Sequence, residues 1–199
     1  LAAGRDGQLV EAIVGVHHER LACAEPVQRL GDGLEKARLV DAEHLSQRYR
    51  VICPDTIGRG LSQWSPLPEQ EYCLAFYVKL AATLVDALGI ERFHWLGTSM
   101  GGAIGLVAAA TTLRDRIRRL VLNDNGPQLA DVAIQRIRSY AGSPAAFATV
   151  SELEQYFRSV YKPYGFLTDA QWRRLTETST RRLPDGRVTP HYDPAMVMQ

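Results

Sequence analysis

The chain has 199 residues, 46% hydrophobic and 23% charged, with a formal net charge of +1. That composition suffices for one globular core, and so even a charge balance argues against nucleic acid or an anionic membrane surface as an obligatory partner. No apolar run reaches the ~20 residues that a bilayer span needs. Three cysteines, Cys23, Cys53 and Cys73, at irregular spacing offer neither a CxxC pair nor a disulfide framework, so a reducing, cytoplasmic compartment is the expectation. The sequence opens on Leu1 rather than Met, which suggests a start inside a longer reading frame.

Residues 9–16, LVEAIVGV, read as a strand. Residues 34–47 carry helical spacing at Leu34, Ala37 and Leu45. Val51, Ile52 and Cys53 form a second strand that Pro54 closes. From 71 to 89, the apolar positions Leu74, Tyr77, Val78, Ala81, Leu84, Val85 and Leu88 recur at three and four, which predicts a long amphipathic helix stopped by Gly89. RFHWLG at 92–97 is the next strand and MGGAIGLVAAATTL at 100–113 the next helix. The basic run from Arg114 to Arg119 reads as a solvated helix end. RRLVLND at 118–124 is a further strand, ended by the turn signal Asn123-Asp124-Asn125-Gly126-Pro127.

Short continuous apolar runs separated by helix-length segments, from Arg50 to Asn123, imply a parallel sheet buried on both faces with flanking helices. Beyond Pro127 the strands are expected to stop. Ala133, Ile137 and Tyr140 mark one helix. Ser151-Glu152-Leu153-Glu154 reads as a capping box opening a second, with Leu153, Tyr156, Phe157 and Val160 on one face. Thr168–Gln171 opens a third through Trp172 and Leu175, and Pro184-Asp185-Gly186 is a turn. The expected organisation is an α/β part over 1–127 and an all-helical part over 128–199.

The stretch FHWLGTSMGGAIG, residues 93–105, carries the chemistry. A serine between a strand and a helix can sit on a bend so tight that the residues two before and two after it nearly touch. Gly97 and Gly101 fit that demand. The helix N-terminus then aims free backbone N–H groups at Ser99, and that of Met100 is placed to hold a developing oxyanion.

At this point the sequence resembles the α/β-hydrolase fold family, over residues 48 to about 195. VICPDTIGRGLSQW resembles the family's strand-then-loop pattern, with Asp55, Gly58, Gly60 and Ser62 in order, and HWLGTSMGGAIG resembles its nucleophile elbow. RLVLNDNGP resembles the strand after the elbow helix, and residues 128–195 the inserted helical lid. The resemblance implies Ser99 as nucleophile of a serine hydrolase acting on an ester or a carbon–carbon bond. It implies a small apolar ester-like or ring-derived substrate, and no metal or organic cofactor. Asp55 reads as a turn-builder. Trp64 reads equally as a pocket wall or as an aromatic packed on its loop.

The serine needs a base and an acid. In the resembled family both usually lie on later strands, so the sequence is expected to be incomplete before the last two strands, with the triad histidine beyond residue 199. Asp124 is the candidate acid, at a position a minority of the family uses. Its other reading, the favoured one, is a cap for the turn beside Asn123 and Asn125. His94 is in the strand itself and cannot swing to Ser99. His191, at the end of the helical part, would be an improvised base. After its third strand the family usually carries His-Gly, whereas this chain has His17-His18-Glu19 after the strand at 9–16, which leaves the second oxyanion donor open. The alternative is a catalytically inactive remnant that keeps the fold. A dehalogenase-like activity would need Asp where Ser99 stands.

Overall fold

The computed structural model describes residues 10–15, 45–123, 131–162 and 165–198. Residues 34–44 of the helix predicted over 34–47, as well as His17, His18, Cys23 and Asp124, lie outside the described residues, His44 among them. Strand β1 is Val10–Gly15 and β2 is Tyr49–Ile52. A short helix, α1 (Pro68–Glu71), precedes α2 (Leu74–Ala87). Then follow β3 (Phe93–Thr98), α3 (Met100–Ala110) and β4 (Ile117–Asn123).

The four strands form one sheet in the order β2-β1-β3-β4, with every neighbouring pair parallel. This is the predicted α/β core: a parallel sheet with helices in its connections. The chain runs from β1 outward to β2, then crosses back to β3 on β1's other side. The reversal of strand order therefore falls between β1 and β3, the place where open α/β sheets bind ligands at the carboxyl ends of their strands. Phe93, Trp95 and Gly97 are buried, each two residues from the next. Alternation along a strand puts all three on one face. Ile104 and Ala108 of α3 and Val78 and Val85 of α2 share the same hydrophobic cluster as Phe93 and Trp95.

Three expectations are corrected. The helix expected over 71–89 is interrupted at Tyr72 and Cys73, because the Tyr72 ring turns into the core, where it is 1% exposed. Burial of β4 on both faces is not observed: Val121 is 50% exposed on this last strand of the described sheet. And the part beyond residue 127 is not all-helical.

That part contains α4 (Asp131–Ala141), α5 (Val150–Val160) and α6 (Asp169–Thr178). It then adds an antiparallel hairpin, β5 (Thr180–Arg182) with β6 (Val188–Pro190), around the predicted turn at Pro184–Gly186. Three-residue strands carry too few positions for a period of two to show. The capping box of α5 begins at Thr149, whose side chain accepts from the Glu152 N–H while Glu152 reaches back to the Thr149 N–H. Ser151 is inside the helix. The Thr168–Gln171 box forms as predicted. Leu153, Phe157, Leu167, Trp172 and Val188 make a second core cluster of their own.

The end of this part returns to the α/β core. Tyr192 and Met196 belong to the first cluster. The Asp193 N–H donates to the Gly58 carbonyl at 2.8 Å, and the Tyr72 hydroxyl donates to Asp193 Oδ2 at 2.5 Å.

Candidate active site

Ser99 stands between the last residue of β3 and the first of α3. Its N–H continues the sheet ladder, donating to the Asn123 carbonyl at 3.2 Å, and its carbonyl accepts the first helical bond, from Ala103, at 3.0 Å. One residue thus belongs to both elements, and the backbone must reverse within it. The result is φ 50° and ψ −117°. Ser99 is the one non-glycine at positive φ among the described residues. An L side chain there is strained by about 1–3 kcal/mol. Its hydroxyl makes no capping bond to the helix.

The glycines around it obey close contact. A Cβ on Gly97 would lie 2.3 Å from the Gly101 carbonyl oxygen and 2.5 Å from the Gly102 nitrogen. These are backbone atoms that cannot turn aside. The predicted approach of the residues two before and two after the serine is therefore present. Met100 opens α3, so its N–H is one of the helix's first donors without an intrahelical partner.

Two features that the sequence reading did not single out complete the corner. The Trp95 indole N–H donates to the Gly101 carbonyl at 2.9 Å. The indole fits under α3 because Gly105 has no side chain: a Cβ there would lie 2.4 Å from Trp95 Nε1. Gly101 and Gly105, four apart in an alanine-rich helix, were the only legible hint. Arg59 is buried, and its Nη2 lies 3.6 Å from Met100 Sδ. Burial and Tyr156 push the Tyr192 phenol up from its ordinary value, while the nearby Arg59 guanidinium opposes the rise.

The loop after β2 holds the corner from the side. The Asp55 carboxylate accepts from the Leu61 N–H at 2.9 Å, and the Ser62 hydroxyl donates to the Asp55 carbonyl at 2.8 Å, so Asp55 builds a turn. A Cβ on Gly60 would collide with that carboxylate at 2.3 Å. Trp64 packs against the Arg181 guanidinium, 4.3 Å from ring centroid to Cζ. It is absent from the walls of the cavity of about 370 Å³ beside Met100 and Gly101.

The two described histidines stand differently. His94 alternates with Phe93 and Trp95, so its ring is on the opposite face of the sheet from the α3 side. Burial, then Arg119 and Arg118, lower its pKa. His191 is 1% exposed, and its backbone N–H donates to the Ser179 carbonyl. Among the described residues no group of three or more His, Cys, Asp and Glu could hold a metal ion, and no helix is long and apolar enough to cross a membrane.

Comparison with known proteins follows the same lines. A 3-hydroxybutyrate-oligomer hydrolase of Cupriavidus necator is 36% identical over 181 residues, 89% of this chain and 60% of that protein. A 2-hydroxymuconate semialdehyde hydrolase of Pseudomonas putida is 42% identical over 77 residues, 39% of this chain and 26% of its own. The crystal structure of an alpha/beta hydrolase from Novosphingobium aromaticivorans superposes with a TM-score of 0.74 at 27% identity, covering 98% of this chain and 63% of that one. The chain thus spans less than two thirds of the length of each. Residues 30–186, well over half the sequence, match the alpha/beta hydrolase fold, and the chain belongs to that family.

Proposed function

We propose that this chain carries the nucleophile of a serine hydrolase that cleaves esters by two-step acyl transfer. The observation that carries the reading is the backbone of Ser99, held at φ 50° where a parallel strand hands over to a helix. Strain of that kind is retained where a side chain must be presented. In the proposed reaction Ser99 Oγ attacks the ester carbonyl carbon. The carbonyl's π electrons move to its oxygen, and the Met100 N–H donates to that oxyanion. The serine proton passes to a histidine and then to the departing alkoxide. Water, deprotonated by the same histidine, hydrolyses the acyl-enzyme.

The base in this proposal is a histidine downstream of residue 199, and Asp124, the next residue in the sequence after Asn123, is the candidate acid. Residues 128–199 act as a cap that selects a small, apolar acyl group. Ester cleavage is preferred to carbon–carbon cleavage on one observation. The similarity to the hydroxybutyrate-oligomer hydrolase runs over 89% of the chain, cap included, whereas that to the semialdehyde hydrolase covers 39%.

A fluorophosphonate probe tests the reading. The 199-residue chain alone should label weakly or not at all. Protein extended downstream to the length of its relatives should label at Ser99. Ser99→Ala in that protein should lose labelling and at least ~10⁴-fold of esterase turnover. A folded, extended protein that does not label would favour the inactive remnant. Strong labelling of the 199-residue chain would make His191 the base.

A further inference from the structure

Met100 is half-buried and packs against the first hydrophobic cluster. Its thioether meets a cation, with Arg59 Nη2 3.6 Å from Sδ. Met100 also belongs to the wall of the cavity of about 370 Å³ between the loop after β2, α2 and the first turns of α3. A peroxide has only two heavy atoms, and a space that size has room for several small molecules at roughly 30 Å³ per water. Met196, the other methionine with a described side chain, is 9% exposed and is not in that wall. A small neutral oxidant in the cavity therefore meets one described methionine.

Oxidation changes what Met100 offers to Arg59. A thioether is a weak hydrogen-bond acceptor. Its sulfoxide is polar, and in apolar surroundings it disrupts packing because the new oxygen has no donor. A cationic donor turns that cost into a charge-assisted hydrogen bond. Arg59 is buried at 7% exposure, and its loop holds it in place. Gly58 and Gly60 on either side turn at positive φ. The Arg59 backbone N–H donates to the Thr56 carbonyl at 3.0 Å, and the Gly58 carbonyl accepts from Asp193 at 2.8 Å. The guanidinium thus stands beside the sulfur before any oxygen arrives.

We propose that Met100 is a modification site, oxidised to its sulfoxide by hydrogen peroxide, and that Arg59 holds the product. A lone pair of Sδ attacks one peroxide oxygen and the O–O bond breaks. The departing hydroxide takes the proton from the transferred oxygen and leaves as water. Sulfur loses two electrons, and the peroxide is reduced by the same two. The modified residue is the one after Ser99, yet the step does not require Ser99 to be reactive.

Peroxide treatment of the 199-residue chain, followed by tryptic digestion and fragment masses, tests the site. Cleavage after Arg92 and Arg114 puts Met100 on residues 93–114, apart from Met196 and Met198 on 188–199. In the folded chain Met100 should gain one oxygen about fivefold faster than Met196 or more, and the two rates should converge in urea. Oxidation should move the denaturation midpoint of the native chain little. In Arg59→Leu, where the sulfoxide lacks its cationic donor, the same oxidation should lower the midpoint further. Arg59→Lys should recover part of that difference. Adding Met100→Leu to Arg59→Leu should remove it, which separates it from oxidation at Cys53 and Cys73. Met100 oxidised no faster than Met196, or equal midpoint shifts in the native chain and in Arg59→Leu, would overturn the proposal. Should Arg59→Leu not fold, the rate comparison decides by itself. None of these results depends on labelling at Ser99, so this site and the proposed chemistry stand or fall separately.

Discussion

At Gly97 and Gly89 the same substitution meets different physics. Gly89 is at φ 66° with nothing within 4 Å of an added Cβ, so Gly89→Ala should cost only the left-handed strain, about 1–2 kcal/mol. Gly97→Ala drives a methyl group into backbone at 2.3 Å and should cost about 3 kcal/mol or more. Urea denaturation of both variants checks the ranking. His94 supplies a pH dependence. Its folded pKa lies below the ordinary 6.5, so between the two values the unfolded chain holds more protons. Stability therefore rises with pH through that window and falls as the solution is acidified below about 6.5. His94→Gln should flatten that fall in the urea midpoint between pH 7 and pH 5. An unchanged slope would mean the ring is hydrated in the folded state.

Between elements, the spacing of α3 over β3 is set by a lock of indole and glycine. Gly105→Ala alone should destabilise the protein, since its methyl meets the Trp95 ring at 2.4 Å. In a Trp95→Leu background the same change should cost less, and the shortfall from additivity measures the lock. The helices α5 and α6 make a simpler case. Thr149→Ala and Thr168→Ala each remove a side-chain acceptor for an end-of-helix N–H, for about 1 kcal/mol apiece in denaturation experiments. What could be read in the sequence follows from this contrast. The strand–glycine–serine–helix order and the Thr168 box were legible because local chemistry decides them. The α5 cap falls at Thr149, two residues before the predicted Ser151, because both are local signals and only the chain's direction of entry chooses. The Trp95–Gly105 lock joins two elements across the core, and no periodicity announces it.

Over the whole molecule, the alternation of short apolar runs with helices specified a parallel sheet, and the sheet is there. The β5–β6 hairpin and the return of Tyr192 and Met196 to the first core were not legible, because they depend on contacts far apart in the chain. Tyr72 is the pivot of that return. Its hydroxyl accepts from the Ser65 N–H at 2.9 Å and donates to Asp193, while burial and the Asp193 bond push its pKa upward and keep it protonated. Tyr72→Phe should cost about 1.5–3 kcal/mol, measured by denaturant midpoint, since the lost bond is to a carboxylate. The two partners stand 121 positions apart, which also orders events during synthesis. A chain emerging from the ribosome at about 5–20 residues per second exposes Tyr72 long before Asp193 exists. The nascent core must hold that phenol with only its local neighbour Ser65, and the bond to Asp193 forms only after synthesis has passed residue 193.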